Sequence, residues 1–253
     1  MIMRNSSRLL ILAVALVSTG VAAADARGFP KTIMLREARA GYYSIKVQYP
    51  RFAGSSAVVR KANADLTGLA QRTFADFQNQ ARDTAKEFGK PIEPSLVRTY
   101  EFAPTVSLAR PDLISVFFIE STFEGGNHAS MLYASESFGL VEGAAKRLYL
   151  SDLLRPGMDA RSIAGAYVYS RLKSEPRADW IQQGRNSIGQ PMTATSPELT
   201  KTFVITTAGL TFLIAPYDVG CWASGSFQVK VPWSAFGSDL APKGPLGTLM
   251  RPR

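Results

Sequence analysis

Residues 97–138 read VRTYEFAPTVSLARPDLISVFFIESTFEGGNHASMLYASESF, and their rhythm decides the fold. Three stretches rich in β-branched and aromatic residues, 97–108, 113–123 and 130–138, are separated only by turn residues, Pro111 and Asp112 in one gap and Gly125 and Gly126 in the other. Connections this short leave no room for a crossover, so the three stretches predict an antiparallel meander.

Upstream of the meander, Tyr43, Ile45 and Val47 alternate with Ser44, Lys46 and Gln48, the period-2 pattern of a strand with one buried face, stopped by Pro50. Residues 25–40 read as an extended lead-in. From Ser55, a good helix cap, apolar side chains recur at spacings of three and four: Val59, Ala62, Leu66, Leu69, Phe74, Phe77, Ala81 and Phe88. They mark one stripe of a long amphipathic helix, ended by Gly89 and Pro91. Downstream, Ile163, Ala164, Tyr167, Val168 and Leu172 share the face of a second helix over 159–173. Pro and Gly then make 174–200 mostly loop, with at most a short helix around Trp180. Phe203 and Ile205 pair with Leu210, Phe212 and Ile214 in a hairpin, and 227–231 form a last strand. The order of elements predicts an α+β fold, an antiparallel sheet or sheets with two main helices packed on one face. From residue 242 the tail, rich in Pro, Gly and Arg, reads as frayed.

The N-terminus carries a targeting pattern. Arg4 and Arg8 precede an unbroken apolar run over 9–17, and small residues follow up to a cleavage site at Ala22 and Ala24. This is the positive, apolar, small order of a secretory signal peptide. The apolar run is far shorter than the roughly 20 residues a membrane-spanning helix needs, so no transmembrane anchor is expected. After cleavage at Ala24 the protein is expected to be soluble and periplasmic or secreted, which disfavours nucleic acid as a partner. The chain has a formal net charge of +9, two of which reside on Arg4 and Arg8, leaving +7 for residues 25–253. That excess favours anionic partners. A hydrophobic content of 46% with 19% charged residues is that of a folded globular chain.

His128 is the only histidine and Cys221 the only cysteine. A single imidazole rules out zinc sites built from two or three histidines, and no metal, cofactor or catalytic constellation is predicted. No G-x-S-x-G elbow and no phosphate-binding glycine loop occurs. Cys221 cannot form an intramolecular disulfide, and a lone cysteine most often packs as a small hydrophobe, so it is expected to be buried. A Cys221–His128 dyad would make the protein an envelope hydrolase or thiol enzyme, the alternative reading. Among the acidic residues, Glu120 with Glu124 and Asp152 with Asp159 are near neighbours, and they read as solvated charges.

The most distinctive run is APYDVGCWASG, residues 215–225. Tyr217 and Trp222 flanked by Pro216, Gly220 and Gly225 fit a rigid loop with aromatic anchors for a partner, and they fit equally two rings packed beneath a sheet.

That run, the preceding hairpin with Gly209, Leu210, Phe212 and Ile214, and the closing Val229, Val231, Pro232, Trp233 and Phe236 together resemble the RsiV-like C-terminal domain family. Phe123, Gly125, Gly126, Asn127 and His128 are similar to that family's aromatic-x-Gly-Gly-Ala-His element. Leu148, Leu150, Asp152, Leu153 and Leu154 are similar to its Leu-x-Leu-x-Asp-Leu-Phe step. The resemblance implies a small companion region over 25–110, an RsiV-like C-terminal domain over 111–241 and an α+β fold. It also implies a non-catalytic role outside the cell, since the namesake senses lysozyme there and peptidoglycan deacetylases carry similar regions. Asn127 departs from the family's Ala. The expected activity is therefore that of an exported envelope-binding protein, its ligand peptidoglycan or another anionic glycan, or a lysozyme-type muramidase. Tyr217, Asp218, Trp222, Asn127 and His128 are the expected contact residues.

Overall fold

In a computed structural model, the described residues are 30–93, 96–186, 188–241, 243–247 and 249. The expected signal peptide and its expected cleavage site at Ala22 and Ala24 lie outside them. The chain opens with a hairpin of β1 (Lys31–Arg39) and β2 (Tyr43–Arg51), so the lead-in is itself mostly a strand. Helix α1 (Ala57–Phe88) then crosses over to β3 (Arg98–Ala109), β4 (Leu113–Phe123), β5 (Ser130–Val141) and β6 (Ala144–Arg147). These strands form one six-stranded sheet in sequence order. The stretch 97–138 makes the antiparallel meander its turns require. The sheet as a whole is mixed, because α1 returns the chain to the end where β2 began and lays β3 parallel to it. The predicted companion boundary at 110/111 falls in the short turn between two paired strands of this sheet.

Helix α1 is capped by Ser56, whose hydroxyl accepts the Val59 N–H at 3.1 Å, and it ends at Gly89 with φ +65°. Its stripe of Val59, Ala62, Leu66, Phe77 and Ala81 is buried against Ile45, Val47, Tyr100, Phe102, Val116, Phe118 and Phe138. Each fully buried aromatic there contributes about 1.5–3 kcal/mol relative to exposure. Phe88, assigned to the same stripe, is 48% exposed, with the Arg98 guanidinium 4.3 Å from its ring centre.

The second half builds a separate core. Helices α2 (Ala160–Lys173) and α3 (Asp179–Gln182) pack with β7 (Phe203–Ile205), β8 (Gly209–Ile214) and β9 (Phe227–Pro232), a three-stranded antiparallel sheet in that order. The hairpin forms in the expected register, Phe203 opposite Phe212 and Ile205 opposite Leu210. The α+β class holds, with one refinement: α1 covers the large sheet and α2 the small one, so the two long helices serve different cores. Tyr167, expected on the buried face of α2, is 40% exposed. Gly165 takes its place in the packing, since a Cβ there would lie 1.9 Å from the Ala194 carbonyl oxygen. The tail is docked and not frayed as far as it is described, with Leu246 buried in the second core. No helix among the described residues is long and apolar enough to cross a membrane.

The two sheets meet at a polar seam. Strand β7 is an edge strand, and the backbone groups that β8 leaves unpaired point at the large sheet. Serine side chains answer them: the Ile205 N–H donates to Ser115 Oγ at 2.9 Å, and the Phe203 N–H to Ser135 Oγ at 3.3 Å. Ser107 Oγ donates to the Ile205 carbonyl at 3.1 Å and lies 3.0 Å from the Ser115 carbonyl. A register shift between Val106 and Leu108 leaves Ser107 as an extra residue in β3, and this bulge aims its hydroxyl at β7. Ser115 and Ser137, both buried, complete the seam with a 2.8 Å hydroxyl–hydroxyl bond. An edge strand is thereby covered and its polar groups satisfied in the interior.

Candidate functional site

The candidate site assembles three segments distant in sequence: the 124–129 loop of the β4–β5 hairpin, the loop between β8 and β9, and α3. The β8–β9 loop begins with a tight turn over 215–218, closed by the Asp218 N–H donating to the Ala215 carbonyl at 3.2 Å. Pro216 occupies its second position and Tyr217 its third, where Tyr217 has φ +69°. A left-handed backbone is ordinarily left to Gly or Asn. Asp218 enforces it: one carboxylate oxygen accepts the Ala215 N–H at 3.0 Å and the other pairs with Lys201 Nζ at 2.7 Å. The expected ligand contact Asp218 is thus already engaged inside the protein, its side chain 13% exposed.

The strained turn holds the Tyr217 ring out, 48% exposed. It lies between Trp180 of α3, at 6.3 Å between ring centres and 28° between planes, and His128, at 6.4 Å. His128 stacks in turn on Trp222, at 4.0 Å and 15°. Trp222 is 39% exposed, and its indole N–H donates to the Ala129 carbonyl at 3.2 Å, tying the two loops together. His128 Nδ1 lies 3.2 Å from the same carbonyl. The Tyr217 hydroxyl lies 3.5 Å from Nε2. Asn127 stands exposed beside His128 on the same loop. Three of the five expected contact residues, Tyr217, His128 and Trp222, therefore share one outward surface.

Trp180, the fourth ring, was legible only as the centre of a short helix, and its spacing from Tyr217 and Trp222 gives no sign that they meet. Gly220 lets the loop settle onto α3, since a Cβ there would stand 2.8 Å from the Arg177 carbonyl oxygen and 3.0 Å from Asp179 Oδ1. Asp179 Oδ1 is buried with no hydrogen-bond partner among the described residues.

Tyr217→Gly would relieve the left-handed backbone while removing the ring. Relief of strain, worth about 1 kcal/mol, offsets the lost ring contacts, so stability in urea is expected to change by less than about 1 kcal/mol. A loss above about 3 kcal/mol would show that the ring is there for stability.

The Cys221 thiol is exposed, correcting the expectation of burial. Its hydrogen-bond partner is Ser224 Oγ at 3.4 Å, which holds the thiol below its usual range. The hydrogen bonds of His128 go to Ala129 and Tyr217, so none joins the thiol to the imidazole as a dyad would require. The neighbouring carboxylates also serve separate ends. Glu120 is half-buried and burial pushes its carboxyl up, whereas Glu124 accepts from Gln80 Nε2 at 2.7 Å. Asp152 accepts the Tyr149 N–H at 2.7 Å, and Asp159 caps α2. No cluster of three or more metal-ligating side chains occurs among the described residues.

With the rings placed, the family match acquires a meaning. Residues 151–234 match the model of DUF3298, described as a protein of unknown function. The DUF3298 segment runs from just before α2 to just past β9, so it supplies Trp180, Tyr217 and Trp222, while His128 comes from the large sheet outside it. Two crystal structures share the fold. A member of the DUF3298 family from Bacteroides fragilis aligns at 15% identity with a TM-score of 0.55, covering 88% of this chain and 98% of that one. A DUF3298 family protein from Pseudomonas aeruginosa aligns at 15% identity and 0.55, covering 89% and 99%. Neither they nor the family match is described as RsiV-like. No curated protein matches the sequence significantly.

Proposed function

We propose that this protein is an exported, non-catalytic binding protein that recognises a cell-envelope glycan through the Trp180–Tyr217–His128–Trp222 surface. The observation that carries this reading is the cluster itself: four flat rings from three segments, with Tyr217 and Trp222 partly exposed and Tyr217 held by a strained turn. Apolar side chains of this size are ordinarily buried, and Trp and Tyr offer broad contact area with little entropy to lose on binding. A sugar ring has an apolar face that lies on an indole and a rim of hydroxyls for groups such as the Asn127 amide. Strain retained at an exposed Tyr is a cost that stability alone does not explain. The N-terminal targeting pattern and the resemblance to RsiV-like domains both support recognition outside the cytoplasm, and the +7 net charge of residues 25–253 supports an anionic glycan. The same charge opposes a lysozyme-type muramidase, a generally basic protein.

The test is retention of the purified protein on peptidoglycan sacculi and on immobilised lysozyme, each against bare beads. Retention on sacculi alone is expected. Capture by lysozyme alone would replace the glycan with a muramidase, and capture by neither would remove the proposal.

A further inference from the structure

The end of α2 and the start of β9 line a cavity of about 220 Å³ whose walls include Arg171, Glu175, Arg177, Ser226 and Phe227. This is below the roughly 300 Å³ from which pockets for whole drug-sized ligands begin, and fits one substituent of a larger ligand. The cavity lining adjoins, along the chain, two of the three segments that bear the rings. Arg177 stands three residues before Trp180, and its Nη1 donates to the Ser224 carbonyl at 3.3 Å, in the turn that begins with Trp222. Ser226 and Phe227 follow that turn directly. A polymer lying across the rings thus has a polar cavity at its side.

Resting on the glycan reading, we infer that this cavity is an anionic subsite that takes the carboxylate of an acidic sugar residue. Arg177 is positioned but partly spoken for: its Nε donates to Glu175 at 2.9 Å and its guanidinium lies 4.9 Å from the centre of the Phe227 ring. Arg171 is exposed, in the last turn of α2, with no carboxylate within 4 Å among the described residues and its charge felt by Glu175 at longer range. Ser226 accepts from the Tyr133 hydroxyl at 2.8 Å and keeps its own proton to donate. Two guanidinium groups less one carboxylate leave one positive charge, reduced further by the negative pole at the end of α2. That balance suits a monoanionic carboxylate and not a phosphate dianion, and the planar Arg fork matches carboxylate geometry.

The test compares three soluble probes by calorimetric titration: peptidoglycan glycan strands stripped of their peptides, whose lactyl carboxylates are free; chitooligosaccharides of the same length, which are uncharged; and poly(glycerol phosphate). The carboxylated strands are expected to bind about tenfold tighter than chitooligosaccharides at low salt, with the difference fading at high salt. Arg171→Gln is expected to erase the preference while leaving chitooligosaccharide binding unchanged. Equal binding of the two sugar polymers, or a preference that survives Arg171→Gln, overturns the subsite while leaving glycan binding intact. Tighter binding of poly(glycerol phosphate) overturns the carboxylate assignment. If none of the three binds, the glycan reading falls first.

Discussion

Trp222→Ala is expected to weaken glycan binding by about thirtyfold or more, the loss of a central aromatic anchor worth about 2 kcal/mol. The same substitution is expected to lower the melting temperature by no more than about 8 °C. Trp222 is 39% exposed, and its ties are one stack with His128 and one indole hydrogen bond to Ala129. Losing both costs about 1–2 kcal/mol, which for a chain of this size moves the melting temperature by roughly 2–8 °C. Calorimetric titration against solubilised glycan strands and a thermal melt separate the two outcomes. Unchanged affinity would remove the ring surface from the proposal, and a collapse in stability with proportionate loss of binding would assign Trp222 to the core.

Ser115→Val is expected to destabilise the protein by about 3 kcal/mol. Ser115 is 0% exposed, accepts the Ile205 N–H and shares a hydrogen bond with Ser137. Removing the hydroxyl leaves a buried N–H and a buried hydroxyl without their partner, and stranded polar groups cost about 1–3 kcal/mol each. The valine also adds a methyl group to a site with no room for it. Urea unfolding reads the loss, and amide exchange at 203–205 is expected to accelerate as the small sheet loosens from the large one. Ser130→Ala, at an exposed position, serves as a control expected to stay within about 0.5 kcal/mol. A Ser115→Val protein as stable as the control would show that the serine seam does not hold the sheets together.

The readable parts of the fold were those where one residue's neighbours in sequence are also its neighbours in space. The meander over 97–138, the long stripe of α1 and the 203–214 hairpin all rest on period and turn chemistry, which act within a few residues. The parallel pairing of β2 with β3 escaped that reading, although a strand, a long helix and a strand in series is the pattern that produces it. Strand β6, four residues after a two-residue turn at Glu142 and Gly143, was too short to register as a separate element. The serine seam was invisible for a different reason. Nothing in the spacing of Ser107, Ser115, Ser135 and Ser137 marks them as a seam, and only the arrival of β7 on that face makes them interior acceptors and donors.

By itself the sequence determined the α+β class, the helix that covers the large sheet, and the identity of the aromatic residues worth watching. It also marked the run holding Pro216, Tyr217 and Asp218 as a candidate rigid loop. Whether those rings were core or surface stood open, because burial depends on what packs against a loop and not on the loop's own composition. Tertiary structure decided it. The β4–β5 hairpin brings His128 onto Trp222, α3 brings Trp180 beside Tyr217, and the Asp218–Lys201 pair, with side chains seventeen residues apart in sequence, helps hold Tyr217 in a left-handed conformation facing outward.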